Sequence, residues 1–385
     1  MIEKTNGRKM DDLMDKPIRV LCVMSTLDRG GAETMVMNLF RNIDRESVIF
    51  DFVKHSQGKD AYDNEIISLG GKIYEAPRYK IYNHFSYKKW WKRFLTEHPE
   101  YLIIHGHYFN FSSVFFKIAR KFNRITVGHS HCTQIPKQAG ESLLKVKLLN
   151  CFVSKVEKHS DYCLACSKEA GLWLFPNKEF TVLNNAIDVD RFRYNRKVAE
   201  QIRQEFRLDN MLVVGTVGRF DVQKNPNGII EIFQRIHAER PDSKLLWIGD
   251  GSLKEQMVEI AKEVGCEKRI LFLGVRTDVN KLLQCMDVFI FPSYYEGLAL
   301  ALIEAQAAGV VCYCSDSISA EVAVTPLCHF LPLKNYQVWA DEIVNTRCEY
   351  IHEDTYELIK SAGYDINDTA KWLEDFYLSI NNERG

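Results

Sequence analysis

The stretch Val288–Gly309 (VFIFPSYYEGLALALIEAQAAG) leaves few options for local structure. Val288–Phe291 is an unbroken apolar run, the pattern of a strand buried on both faces. Pro292-Ser293 ends it, Gly297 offers a second turn, and Leu298–Ala308 reads as a helix closed by Gly309. A buried strand feeding a helix is the unit of a parallel sheet, because parallel neighbours need a crossover. The start of such a helix gathers amides without an intrahelical acceptor, so an anion can sit there. Glu296 and Glu304 flank this point eight positions apart, about 800° of helix and so nearly one face. Carboxylates do not attract phosphate; beside one they suit sugar or ribose hydroxyls. The same pattern also fits an ordinary βα unit with two solvated glutamates.

The alternation extends along the whole chain. Strand-like runs at Ile18–Met24, Val48–Val53, Lys72–Tyr74, Tyr101–Ile104, Ile125–Val127, Tyr162–Ala165 and Thr181–Leu183 are separated by helical stretches. After the polar segment Asp188–Asp209 the pattern restarts with Leu212–Val217, Leu245–Ile248, Ile270–Leu273, Val288–Phe291 and Val310–Tyr313. The expectation is two doubly wound, Rossmann-like α/β domains facing each other across a cleft, with ligands at the carboxyl ends of the strands. At 385 residues the chain is long enough for two cores. The expected division is a disordered leader at 1–16, a first domain at 17–190, a linker at 191–209, a second domain at 210–365, and a C-terminal helix, 366–385, packing back on the first domain.

Composition narrows the setting. No apolar run approaches the ~20 residues of a spanning helix, and the polar N-terminus lacks a secretory h-region. The 11 cysteines are scattered singly apart from Cys163-Leu-Ala-Cys166, which lies in a strand-like run and reads as core. A cytoplasmic protein is expected. The net charge of −1 hides an asymmetry: residues 78–160 hold 15 Lys and Arg against 4 Asp and Glu. That is a local basic surface for an anionic partner, and nucleic acid is not expected.

Several loops at strand ends carry chemistry. Gly30-Gly31 lets backbone approach a phosphate or sugar after the first strand, without the G-x-G-x-x-G of a dinucleotide fold. Arg219 and Lys224 follow the first strand of the second domain and suit a diphosphate. Gly249-Asp250-Gly251 and Gly274-Val275 leave backbone bare at the same edge, where a planar base can be read. His105-Gly-His107 and His129-Ser-His131 end first-domain strands; they position a sugar, move a proton, hold a metal, or are structural. Tyr79–Phe94 (YKIYNHFSYKKWWKRF) mixes five basic residues with aromatics and no acid. It reads either as a membrane-interface segment, through Lys88, Lys89, Trp90, Trp91, Lys92 and Arg93, or as a surface helix with core aromatics.

Together these motifs resemble the retaining GT-B glycosyltransferases of family four, particularly those of bacterial capsule and exopolysaccharide synthesis. The resemblance runs from Ile18 to GYDINDTAKWLEDFY at the C-terminus. It rests on GGAETMVMNLFRNID (Gly30–Asp44), IIHGH (Ile103–His107), HSH (His129–His131) and NNAIDVDRF (Asn184–Phe192), then VGRFDVQKN (Val217–Asn225), IGDG (Ile248–Gly251), FLG (Phe272–Gly274) and FPSYYEGLALALIEAQAAG (Phe291–Gly309).

The resemblance implies a nucleotide-sugar donor held mainly by the second domain and an acceptor held mainly by the first. By the family pattern, Glu304 holds ribose hydroxyls and Glu296 those of the donor sugar. Arg219 and Lys224 bind the diphosphate, helped by Gly30, Gly31 and the backbone of Gly297, Leu298, Ala299 and Leu300; Gly249 and Val275 lie beside the base. His129 stands near the reacting carbon, and His107 and His131 on the acceptor side. No metal and no other cofactor is expected. The sequence departs from the family at Leu298-Ala299-Leu300, where proline and valines are common, and at Asn185-Ala186, where Asn-Gly is usual. The implied activity is transfer of a hexosyl or N-acetylhexosaminyl group, with retention, from a UDP-sugar to a lipid-diphosphate-linked glycan by an enzyme peripheral to the inner face of the cytoplasmic membrane. A GT-B nucleotide-sugar epimerase and a non-catalytic nucleotide-sugar-binding partner of a synthase are the alternatives.

Overall fold

A computed structural model of the chain describes residues 16–107, 111–132, 152–345 and 352–383. The expected leader lies outside the described residues apart from Lys16. The chain forms two compact units: one runs to Ala186 and resumes at Ile366, and the other is Ile187–Asp365.

In the first unit the strands are β1 (Ile18–Met24), β2 (Val48–Lys54), β3 (Ile73–Glu75), β4 (Ile103–Gly106), β5 (Ile125–Ser130), β6 (Tyr162–Ala165) and β7 (Thr181–Val182). They form one sheet in the order β3-β2-β1-β4-β5-β6-β7. All its pairs are parallel. The helices are α1 (Gly31–Asn42), α2 (Asp63–Ser68), α3 (His84–Glu97), α4 (Ser112–Lys121), α5 (Val156–His159) and α6 (Lys168–Leu174), with a C-terminal helix at Ile366–Asn382. The two-residue period of β1 feeds two cores. Val20 and Cys22 join Met35 and Phe40 of α1 and Leu373 and Tyr377 of the C-terminal helix. Leu21 and Val23 face Trp91, Phe115 and Phe116 of α3 and α4. With both faces covered, the strands have no need of polar alternation.

The second unit contains β8 (Leu212–Val217), β9 (Ser243–Ile248), β10 (Ile270–Gly274), β11 (Val288–Phe291), β12 (Val311–Ser315) and β13 (Cys328–Leu331). Their order is β10-β9-β8-β11-β12-β13, again parallel. Its helices are α7 (Val189–Phe192), α8 (Arg196–Phe206), α9 (Pro226–Glu239), α10 (Lys254–Glu263), α11 (Val279–Leu283), α12 (Leu300–Ala307), α13 (Tyr336–Val344) and α14 (Tyr356–Ser361). Val213, Leu246 and Phe289 point into one core, Leu212, Val214 and Trp247 into the other.

The segment 191–209, expected as a linker, is instead part of this unit. Helix α8 buries Ala199, Ile202 and Arg203, and Leu208 is wholly buried after it. Its high polarity misleads because the buried cation is matched: Arg203 Nη2 lies 2.7 Å from Asp287 Oδ1, both side chains 1% exposed. Asp287 Oδ2 also accepts the amide of Val213 at 2.7 Å. Burial pushes the Asp287 carboxyl up, and Arg203 opposes it. Breaking one side of such a pair strands the other charge in the core. Arg203→Met should therefore cost about 3–5 kcal/mol in urea unfolding, whereas Arg203→Met with Asp287→Leu should recover most of it. A single variant as stable as the parent would show that the pair does not hold α8 in place.

Candidate functional site

The second sheet changes direction between β8 and β11: the chain leaves β8 toward β9 and leaves β11 toward β12. Loops departing in opposite directions open a crevice at the strand carboxyl ends. Here the loop after β8 and the loop after β11 are stitched to each other by side chains. Lys224 Nζ lies 2.7 Å from Glu296 Oε1, with side chains 18% and 7% exposed. Gln223 Nε2 donates to Glu296 Oε2 at 3.2 Å and to the Tyr295 carbonyl at 3.0 Å. The Tyr294 amide donates to the Gln223 carbonyl at 2.9 Å. Lys224 Nζ also sits 4.6 Å over the Phe291 ring.

Asn225 fixes this arrangement from behind. It takes a left-handed conformation (φ 53°), caps α9 through the Gly228 amide at 3.2 Å, and donates to the Pro292 carbonyl at 3.0 Å. Arg219 reaches into solvent, 75% exposed, 3.2 Å from Asp221. Gln223 and Asn225 are the residues that motif reading passed over. Both lie inside Val217–Asn225, and their signal was proximity to Lys224.

The neighbouring strand end depends on a missing side chain. Gly249 has φ 142°, and a Cβ there would lie 1.9 Å from the Gly218 carbonyl. Its amide donates to the Gly274 carbonyl at 2.9 Å, so the ends of β8, β9 and β10 meet through backbone alone. Val275, just beyond, is exposed.

Helix α12 has no side-chain cap at Ala299. No acceptor meets the amides of Gly297, Leu298 and Ala299 among the described residues, while the Leu300 amide donates to the Leu298 carbonyl at 3.1 Å. Open amides at a helix start favour an anion. Glu304, in the second turn, keeps part of its side chain at the surface, yet the atoms crowding its carboxyl push it up to about 7, with Arg191 pulling the other way.

The first unit has its own reversal, between β1 and β4. Gly30 precedes α1 without a side-chain cap, and nothing lies within 4 Å of where a Cβ on Gly31 would stand. The anion expected at this helix start has a resident competitor. Glu33 curls back so that its Oε2 would stand 2.3 Å from a Cβ on Gly30. Burial raises the Glu33 pKa against the hydrogen bonds from its own backbone, Thr26 and Ser25.

Four imidazoles from the ends of β4 and β5 stack together. Ring centroids are 4.1 Å apart for His105–His107 and 4.2 Å for His129–His131, and 5.2 Å for His107–His129. His107 Nδ1 and His131 Nε2 share a hydrogen bond at 2.9 Å, and His105 Nδ1 meets the Tyr377 hydroxyl at 2.5 Å. Neither ring nitrogen of His129 has a partner among the described residues. Burial drives His105, His107 and His129 well below the usual histidine range, neighbouring imidazoles adding to it, and lowers His131 to about 4. The cluster is therefore neutral at pH 7. Ligand nitrogens of His105, His107 and His129 all lie within 4.8 Å of one another. A tetrahedral zinc site draws its nitrogens to about 3.4 Å. The His105 and His129 rings are within 9° of parallel, with centroids 5.3 Å apart.

Of the expected membrane residues, Trp91 is corrected: it is wholly buried, stacked on Phe115 at 4.9 Å. Tyr87, Trp91, Phe94 and Leu95 form the inner face of α3, the spacing of a core stripe. Trp90 is half-buried against Phe94, at 5.1 Å and 9°. Lys89, Lys92 and Arg93 are exposed, Lys88 half-buried.

Two parallel sheets of this order define the GT-B class of glycosyltransferase. Anabaena HepE, solved with UDP, superimposes with a TM-score of 0.76 at 17% identity, over 94% of this chain and 100% of that one. A family model, "Glycosyl transferases group 1", matches residues 198–329. EpsF of Bacillus subtilis (strain 168), a glycosyltransferase by name, is 30% identical over 383 residues, 95% of this chain and 97% of EpsF. The chain belongs to this glycosyltransferase family, of the family-four type. A further relative is the Escherichia coli UDP-Gal:alpha-D-GlcNAc-diphosphoundecaprenol alpha-1,3-galactosyltransferase, 31% identical over 177 residues, 45% of each chain.

The buried histidines set an acid limit on the first unit. His55, bonded to the Met24 carbonyl and the Tyr87 hydroxyl, is also lowered to about 4 by burial. Depressed histidines keep their stabilising effect above the unfolded value of about 6.5 and lose it as pH falls toward 4, because only the unfolded chain takes up protons. The melting temperature should therefore fall steadily from pH 7 to pH 5, and His131→Asn should flatten that slope. An unchanged slope in the variant would mean that His131 does not contribute to the acid limit.

Proposed function

We propose that this protein transfers a hexosyl or N-acetylhexosaminyl group, with retention and without a metal, from a UDP-sugar to a lipid-diphosphate-linked glycan in capsular or exopolysaccharide synthesis. The observation that carries it is the Lys224–Glu296 pair beside the open amides of Gly297, Leu298 and Ala299. A diphosphate placed at those amides competes with Glu296 for Lys224. The released carboxylate is then an acceptor for donor-sugar hydroxyls. Glu304 takes the ribose hydroxyls, Arg219 the outer phosphate, and Gly249 and Val275 flank the uracil ring.

The reaction breaks the bond from the anomeric carbon to the β-phosphate oxygen, and its electron pair stays on that oxygen. Lys224, Arg219 and the helix amides stabilise the charge developing there. The acceptor hydroxyl forms its bond to the same face of the carbon and gives its proton to the departing phosphate oxygen. Neutral His129 is a hydrogen-bonding partner for the reacting sugar, with His107 and His131 on the acceptor side. The relative that acts on a diphosphoundecaprenol-linked sugar supports the acceptor class, and the resemblance to HepE with UDP supports the nucleotide. The reading places the enzyme peripherally, at the cytoplasmic face, where a lipid-borne acceptor and a soluble nucleotide sugar meet; no described helix is long and apolar enough to cross a membrane.

A screen of nucleotide sugars by thermal shift, run with EDTA present, should single out one donor, because only the ligand of the native state raises the melting temperature. With that donor, Glu304→Ala should lower transfer about 100-fold, the loss of two charge-assisted hydrogen bonds at ~1.5 kcal/mol each. Unchanged turnover would sink the ribose assignment, and an inverted product anomer would sink retention. The raised carboxyl also sets a pH dependence. Its ionised form is the better acceptor for hydroxyls, so donor affinity should rise up to about tenfold from pH 6 to pH 8. Glu304→Gln should bind independently of pH over that range.

A further inference from the structure

The basic excess of the first half is gathered around one groove. Helices α3 and α4 and the stretch from Phe152 to His159 enclose a concavity of about 570 Å³. Lys88 and Lys92 enter it from α3, Lys117 and Lys121 from α4, Lys155 from just before α5 and Lys158 from within it. Lys88 and Lys92 are four residues apart, as are Lys117 and Lys121, so each of these pairs shares a face of its helix. Among the described residues no acidic side chain lines the groove. None of the six ammonium groups makes an ion pair among the described residues. The two histidines at its edge register the charge: His84 is lowered by burial and then Lys88, and His159 by burial and then Lys117, Arg120, Lys158 and Lys155.

Six like charges around a concavity repel one another, and only an anion of comparable size relieves that repulsion. The turn leading into α3, with the first turn of α3 itself, shows which anion. Ile81, Tyr82 and Phe85 are 61%, 81% and 84% exposed, and Phe85 directly precedes Lys88 by one helical turn. A soluble phosphate has no use for three bare apolar side chains beside its site. A membrane does: its headgroup phosphates lie at one level and its acyl chains just beneath. Arg93, by contrast, is engaged with Glu97 at 2.8 Å and does not line the groove.

We propose that the α3–α4–α5 groove binds the phosphate groups of anionic lipid headgroups, with Ile81, Tyr82 and Phe85 inserted beside it. The inference rests on the reading that the acceptor is lipid-borne, and it replaces the aromatic pair Trp90-Trp91 with a different apolar edge.

The test is sedimentation of the full chain with phosphatidylglycerol–phosphatidylcholine vesicles, against pure phosphatidylcholine. Lys117 and Lys121 are exposed, so Lys117→Glu with Lys121→Glu should leave the circular dichroism spectrum intact. That variant should bind the anionic vesicles at least about 30-fold more weakly, as expected for two surface lysines. Phe85→Ser should weaken binding about tenfold without altering its salt dependence. Lys262→Glu with Lys268→Glu, the same charge change in the second unit, should bind like the parent. Equal binding by the groove variant and the parent would overturn the proposal. So would saturation by millimolar inorganic pyrophosphate combined with indifference to Phe85→Ser, which would mark a site for free phosphate. Transfer to a short-chain, water-soluble acceptor should survive in the groove variant. Failure of that transfer in the parent would count against the glycosyl-transfer reading and leave the vesicle result standing.

Discussion

A parallel sheet whose strand order reverses must leave one place where successive connections part, and the whole arrangement of this protein follows from that. In the second unit the parting point lies between β8 and β11. Left alone it would be an open crevice with mobile walls. Lys224 and Glu296 close it with a single ion pair, and Gln223 and Asn225 tie the same two loops by neutral hydrogen bonds. The division matters chemically. The neutral bonds can hold the loops while the ion pair is exchanged for a ligand's charges, so in the proposed reaction the diphosphate replaces Glu296 on Lys224 without loosening the walls. A half-buried lysine without Glu296 would carry an uncompensated charge in the free protein, at a cost the pair avoids.

The crevice also depends on what is absent. At Gly249 a single methyl group would collide with the Gly218 carbonyl. Three strand ends reach the same edge because the backbone there is unobstructed. The opposite economy governs the first unit, where a buried charge is matched by donors from several strands and loops. Asp51 takes two bonds from Arg19, one from the Tyr101 hydroxyl and one from the Lys72 amide, and so satisfies a fully buried carboxylate. The imidazole cluster at the ends of β4 and β5 reaches neutrality by burial. Neutral rings donate and accept hydrogen bonds without repelling one another, as the proposed contact with a sugar requires.

Much of this was legible in the sequence because parallel strands buried on both faces read as unbroken apolar runs. Val20–Met24, Tyr162–Ala165, Leu212–Val214 and Val288–Phe291 are continuous runs of this kind. β13 was missed for the same reason in reverse: an edge strand, half-open to solvent, carries no such run. Helix α8 reads as a linker in sequence because a buried arginine looks like a solvated one until Asp287, 84 positions away, is placed beside it. Glu296 and Lys224 were visible as residues. Their contact with each other was not, because it joins loops 72 positions apart. Trp91 shows the limit of composition: basic and aromatic residues in one segment do not reveal which face of the helix each occupies.

The segment around α3 reconciles the two readings that composition left open. Its aromatics at Tyr87, Trp91 and Phe94 are core, as a surface helix requires. Its lysines at 88 and 92 nonetheless lie on the flank that meets α4 and α5. The core stripe is the cause of the basic groove. Stacking Trp91 on Phe115 fixes the rotation of α3 against α4, and that rotation brings the two lysine pairs face to face. Lysines on isolated helices would spread apart and be screened by salt. Held by a packed aromatic contact, they cannot separate, and the repulsion between them persists until an anion enters. The charge asymmetry that a net charge of −1 conceals is thus a local property set by packing.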